Sequence, residues 1–137
     1  MIKKILVILA ATCFTQANAQ NIELRMHNGA STLINGTSIT VTDTVSTSTS
    51  QDVEVEIDVK SAFSSTKTIK VKKIEKTSTA PLSENAICWG VCTLGVVWGT
   101  SPTVTSDPVP MNAAQTVLYS GHVYPKLHGG RSCFRYV

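Results

Sequence analysis

Apolar and polar residues alternate with a period of two along most of this chain. Ile22, Leu24 and Met26 alternate with Glu23, Arg25 and His27, the pattern of a half-buried strand. Asn28-Gly29 then predicts a turn, and Asn35-Gly36 a second. Residues 37–45 are β-branched and alternating, with Ile39 and Val41 on one face, so they predict another strand. Residues 46–50 form a polar loop too short to link domains. The clearest pattern comes next. Val53, Val55, Ile57 and Val59 share one parity, and Asp52, Glu54, Glu56 and Asp58 the other. Ile69 and Val71 alternate with Thr68, Lys70 and Lys72. Pairing these two runs as a hairpin sets Glu56 opposite Lys70 and Glu54 opposite Lys72. Such cross-strand pairs contribute a few tenths to ~1 kcal/mol each and help fix register.

Residues 77–83, with Pro81, predict a loop. Residues 87–97 are apolar and carry Gly90 and Gly95, which suits two short strands and a tight turn. Three prolines in residues 101–110 exclude a central strand over the whole of that stretch. Residues 115–123 predict a strand with Val117 and Tyr119 on one parity. Tyr124-Pro125 and His128-Gly129-Gly130 predict turns, and residues 132–137 a last strand. No segment has the period of an amphipathic helix. The fold class implied is an all-β, immunoglobulin-like antiparallel β-sandwich of about seven short strands.

The ends change this picture. Lys3 and Lys4, an apolar run over residues 5–11, and Ala17-Asn18-Ala19 predict a cleaved signal peptide over residues 1–19. The single domain is then residues 20–137. The apolar run is well short of the ~20 residues that span a bilayer. Localisation is expected to be periplasmic, cell-surface or secreted. The whole chain carries twelve Lys and Arg against nine Asp and Glu, a formal +3. Without Lys3 and Lys4 the balance is +1, which gives no basic face for nucleic acid.

An exported protein can keep disulfides. After the leader, three cysteines remain: Cys88, Cys92 and Cys133. In a straight strand, Cys88 and Cys92 would lie about 13 Å apart, whereas a disulfide needs roughly 4.4–6.8 Å between Cα atoms. Their pairing therefore requires a sharp turn through Trp89-Gly90-Val91. The alternative joins one of them to Cys133. The short pairing is preferred, leaving Cys133 unexplained. A redox centre would call for Cys-x-x-Cys at a helix start, and zinc for a second close Cys/His pair; neither is present. No cofactor or metal is expected.

Other candidate chemistry is thin. The carboxylates at residues 52–58 read as a solvated strand face neutralised by its neighbour, because calcium sites draw their ligands from loops. His122 and His128 flank Tyr124-Pro125 and read as exposed turn residues. No nucleophile–His–carboxylate spacing stands out, so no enzyme is expected. Asn35-Gly36-Thr37 and Asp43-Thr44-Val45 match short glycosylation patterns of low specificity.

The segment Asn85-Ala86-Ile87-Cys88-Trp89-Gly90-Val91-Cys92 resembles a motif of secreted Bacteroidetes proteins. These carry an immunoglobulin-like β-sandwich, commonly upstream of a type IX secretion C-terminal sorting domain. Ser101-Pro102, residues 109–116, Ser120-Gly121-His122-Val123-Tyr124-Pro125, Gly130 and Phe134-Arg135-Tyr136-Val137 follow the order of that family. Two features depart from it. Cys133 is not expected, and the chain stops where one more strand is expected, so the last sheet edge reads as open. The resemblance implies a non-enzymatic module with a structural or adhesive role at the cell envelope or surface, whose partner is a protein or a glycan. The alternative is a carbohydrate-binding module in which Trp98, Tyr119 or Tyr124 stacks on sugar rings. An open edge would also suit addition of a partner's strand.

Overall fold

A computed structural model describes residues 21–33 and 36–137. The leader expected over residues 1–19, and Asn35 of the second turn, lie outside the described residues. Among the described residues twelve strand segments follow one another, several of only two or three residues, rather than about seven. They are β1 (Ile22–Met26), β2 (Thr32–Leu33), β3 (Val53–Ser61), β4 (Lys67–Ile69), β5 (Lys72–Ser78) and β6 (Glu84–Trp89), then β7 (Val91–Cys92), β8 (Val96–Val97), β9 (Thr103–Thr105), β10 (Val109–Met111), β11 (Thr116–Tyr124) and β12 (Ser132–Tyr136). All pairings are antiparallel. The all-β sandwich read from the alternation is what the chain forms.

The first sheet runs β2-β1-β3-β11-β6-β7, with β8 also on β6. The second layer holds β12-β5-β9 and β10-β4. Its two parts are stitched at Ser106, whose amide donates to the Val71 carbonyl and whose hydroxyl accepts the Val71 amide. Pro110 falls in β10, a short edge strand, where a missing N–H is tolerated.

Three expectations are corrected. The strands over 53–59 and 69–71 do not form a hairpin. β3 pairs with β1 and β11, while β4 and β5 belong to the other layer. The chain therefore arches between sheets at residues 62–66, and Glu56 and Glu54 face Ser120 and His122 rather than Lys70 and Lys72. Residues 37–45 form no strand, and Ile39, Val41 and Val45 are exposed; among the described residues no strand pairs with them. The loop predicted at residue 77 begins later, because β5 continues to Ser78 against β12.

The inward parity of β3, β6 and β11 meets the second layer. Val59, Ile87, Trp89, Met111 and Tyr119 form the buried core, with Ile57, Val71, Val104 and Tyr136 packed around it. Trp89 is fully buried, and its indole N–H donates to the Ile69 carbonyl at 3.0 Å, tying one sheet to the other. Gly121 lets two phenols share the centre of β11: a Cβ there would come within 2.7 Å of Tyr136 Oη and 3.1 Å of Tyr119 Oη. The rings of Tyr119 and Tyr136 meet edge-on at 5.1 Å, a favourable aromatic geometry.

The core also contains charge. Lys73 is completely buried and Asn85 is 1% exposed. Lys73 Nζ donates to Asn85 Oδ1, and Asn85 Nδ2 donates to Glu75 Oε1 at 3.0 Å. Glu75 Oε2 accepts the Gly99 amide at 2.8 Å.

Candidate functional site

The outward parity of the first sheet carries the densest polar surface. β3 presents Glu54, Glu56 and Asp58, β11 presents Ser120, His122 and Tyr124, and β6 presents Glu84 and Cys88. The ladder sets His122 between Glu54 and Ala86, and Ser120 between Glu56 and Cys88. His122 is therefore a strand residue with a largely covered side chain, not an exposed turn residue. His128 does lie exposed in the turn closed by its amide and the Pro125 carbonyl.

His122 gathers the site. Its Nδ1 lies 2.8 Å from Asp52 Oδ2. Its Nε2 lies 2.8 Å from Ser120 Oγ, 3.2 Å from Cys88 Sγ and 3.5 Å from Glu54 Oε1. Tyr124 stacks parallel to the imidazole at a centroid separation of 6.2 Å. Desolvation pushes the Tyr124 phenol above its ordinary pKa, helped by the negative charges of Asp52, Glu54 and Glu84. Lys126 Nζ sits 5.9 Å over the Tyr124 ring and 3.1 Å from Glu84 Oε2. An open depression of about 520 Å³ is lined here by Ser50, Glu84, Leu94, Gly95, Tyr124 and Lys126. Farther along the face, a hydrogen bond to Asp58 raises the pKa of His27, and Arg25 holds Glu23 below the usual carboxylate range. The acidic face of β3 thus meets His27 of β1 and His122 of β11 in place of the expected lysines, while Arg25 pairs with Glu23 on its own strand.

Two chemistries can be tested on this geometry. Ser120, His122 and Asp52 stand in the hydrogen-bonded order of a nucleophile, a base and an orienting acid, an arrangement that linear spacing did not reveal. Ser120 is only 7% exposed, and Nε2 is shared with Cys88 and Glu54. β11 is also paired on both sides, so its amides are spent on ladders and supply no oxyanion donors. Separately, Asp52, Glu54 and His122 each offer a ligand atom within 4.8 Å of the others. The two carboxylates face different ring nitrogens, so a cation would have to displace one of the existing contacts.

The disulfide is at the edge of this face. Cys88 and Cys92 are directly opposed across β6 and β7, with Cα atoms 3.9 Å apart, and are bonded. Gly90 makes the required turn at φ +71°, where a Cβ would also strike Val109 Cγ2 at 2.7 Å. Cys133 is free and exposed, at an irregularity in β12.

The three candidate aromatics do not assemble into one platform. Tyr119 is 3% exposed and belongs to the core, so it is removed from any sugar-stacking role. Trp98 is half-buried against Phe134 at 5.3 Å between centroids. Tyr124 alone lines an open depression. Sequence reasoning missed Asp52, Ser120 and His122 as a group, because residues seventy apart in the chain become neighbours only through the β3–β11 ladder.

The molecule is thus an all-β sandwich with a disulfide-clamped hairpin and a polar outer face, and among the described residues no helix is long and apolar enough to cross a membrane. Set against protein-family models, curated proteins and solved structures, the chain matches none of them.

Proposed function

We propose that this chain is an exported, non-enzymatic β-sandwich module with a structural or adhesive role at the cell envelope or surface. The observation that carries the reading is the Cys88–Cys92 bond where β6 turns into the exposed strand β7. A disulfide of this kind persists in oxidising compartments and is rare where glutathione keeps thiols reduced. The leader pattern of residues 1–19 and the resemblance around Cys88-Trp89-Gly90 support the same placement. Fractionation of native cells tests it. The expected result is protein outside the inner membrane, starting at Gln20, with Cys88 and Cys92 resistant to alkylation until reduced. Cytosolic protein retaining Met1 and reactive thiols would overturn it.

A glycan-binding role is the second reading, supported by Tyr124 beside Glu84 and Lys126 at the open depression. It predicts glycan-array signals that are lost in Tyr124→Ala. An array without signals for the wild type removes it.

A further inference from the structure

The most unusual feature of the interior is a lysine without a counter-ion. Lys73 is on β5, in the centre of the β12-β5-β9 group, facing Tyr136 and Val104 in register. It is fully buried, and among the described residues it forms no ion pair. The Phe134 ring lies 5.8 Å from Nζ, and that ring packs on Trp98 and Tyr136. A buried ammonium is strongly unfavourable unless it is paired. Its hydrogen-bond partner among the described residues is the neutral side-chain amide of Asn85, on β6 in the opposite sheet, and that amide is held from its other end by Glu75. An amine touching an amide carbonyl, with a carboxylate on the amide nitrogen and aromatic rings around them, is a set of groups arranged for acyl transfer.

We propose that Lys73 and Asn85 are joined by an intramolecular amide bond that the folded domain forms on itself, with Glu75 as the proton relay. Desolvation depresses the pKa of Lys73, against the opposing charge of Glu75, and so favours the neutral amine, the nucleophilic form. Nζ attacks Cγ of Asn85, forming the Nζ–Cγ bond and placing charge on Oδ1. Collapse of that intermediate breaks the Cγ–Nδ2 bond. Lys73 starts with three Nζ protons and gives the first to the Glu75 carboxylate before it attacks. One stays in the new amide, and two pass through the Glu75 carboxylate to Nδ2, so the nitrogen of Asn85 leaves as ammonium. Glu75 is returned as carboxylate, and no oxidant, cofactor or second substrate takes part. Glu75 touches the leaving nitrogen and is catalytic in this step. The product removes the buried charge and ties the two sheets together covalently.

Mass spectrometry of the purified full-length protein, after reduction, tests this. The expected mass is lighter than the sequence by one ammonia. Trypsin should fail to cut after Lys73 and should release a branched peptide that joins residues 73–76 to the fragment containing Asn85. Lys73→Met, Asn85→Ala and Glu75→Gln should each keep the full mass. Wild-type protein of full mass with a linear peptide ending at Lys73 would overturn the proposal, and this readout requires no variant to fold. Loss of ammonia without a branched peptide would also overturn it, because a succinimide at Asn85 gives the same mass. Cross-linking that persists in Glu75→Gln would remove the relay role.

Discussion

β6 separates two polar clusters built from similar side chains in opposite surroundings. On its outer side, a largely covered His122 and Ser120 meet the solvent-facing carboxylates of Asp52 and Glu54. On its inner side, Asn85 joins Lys73 to Glu75 among aromatic rings. In the first cluster, the carboxylates of Asp52 and Glu54 are open to solvent, so water can take the place of their partner and each ion pair contributes little. In the second there is no such replacement, and the loss of one group strands another. Exposure, more than residue type, decides which cluster holds the fold together and which is free to bind.

The inner cluster should give the largest effect. Asn85→Ala leaves a buried amine without an acceptor and is expected to destabilise by about 3–5 kcal/mol, read as a denaturant midpoint. Lys73→Met loses the same link to Asn85 but strands no buried amine and keeps most of the volume, so it should cost less than Asn85→Ala. Equal losses in the two variants would break the contrast. Next comes the bond at the edge of the outer face. The Cys88→Ala/Cys92→Ala pair should lose about 2 kcal/mol in the chain-entropy view of so short a loop, checked by thermal unfolding with and without reductant.

Tyr119 is a third test, because its hydroxyl is enclosed without a partner at hydrogen-bonding geometry. Tyr119→Phe should change stability by less than about 1 kcal/mol and is expected to be neutral or stabilising. Burial raises the phenols of both Tyr119 and Tyr136 above their ordinary value. The unfolded chain therefore ionises first, so stability present below about pH 10 is lost as pH rises past that value. Denaturant midpoints taken across that range should fall in the wild type and fall less in Tyr119→Phe. The smallest effect belongs to the outer cluster. His122→Ala should cost no more than about 1 kcal/mol, and a loss comparable to that of Asn85→Ala would erase the distinction between the two faces.

Much of the first sheet was legible in the sequence. β1, β3 and β11 each carry apolar residues on one parity, and that parity is the inner one. The tight turn at Gly90 and the pairing of Cys88 with Cys92 were legible from spacing and the export reading. Sheet membership was not. Charge complementarity favoured β3 beside Lys70 and Lys72, but a local pairing rule does not register that the chain crosses to the other layer. β5 was hidden for a different reason: its inner positions are Lys73 and Glu75, so alternation of hydrophobicity vanishes where the strand is most buried. The available signal was parity itself, since Lys73 and Glu75 continue the inner series of Ile69 and Val71.

The two outermost strands in chain order lie in different sheets: β1 is hydrogen-bonded into the first, and β12 into the second. Tension applied between residues 21 and 137 therefore cannot be borne by a single ladder sheared along its length. It crosses between the layers, along the chain that arches at residues 62–66 and through the contacts between facing strands. Lys73 and Asn85 face each other across that interior, and a covalent link between them would clamp the two layers against such a pull.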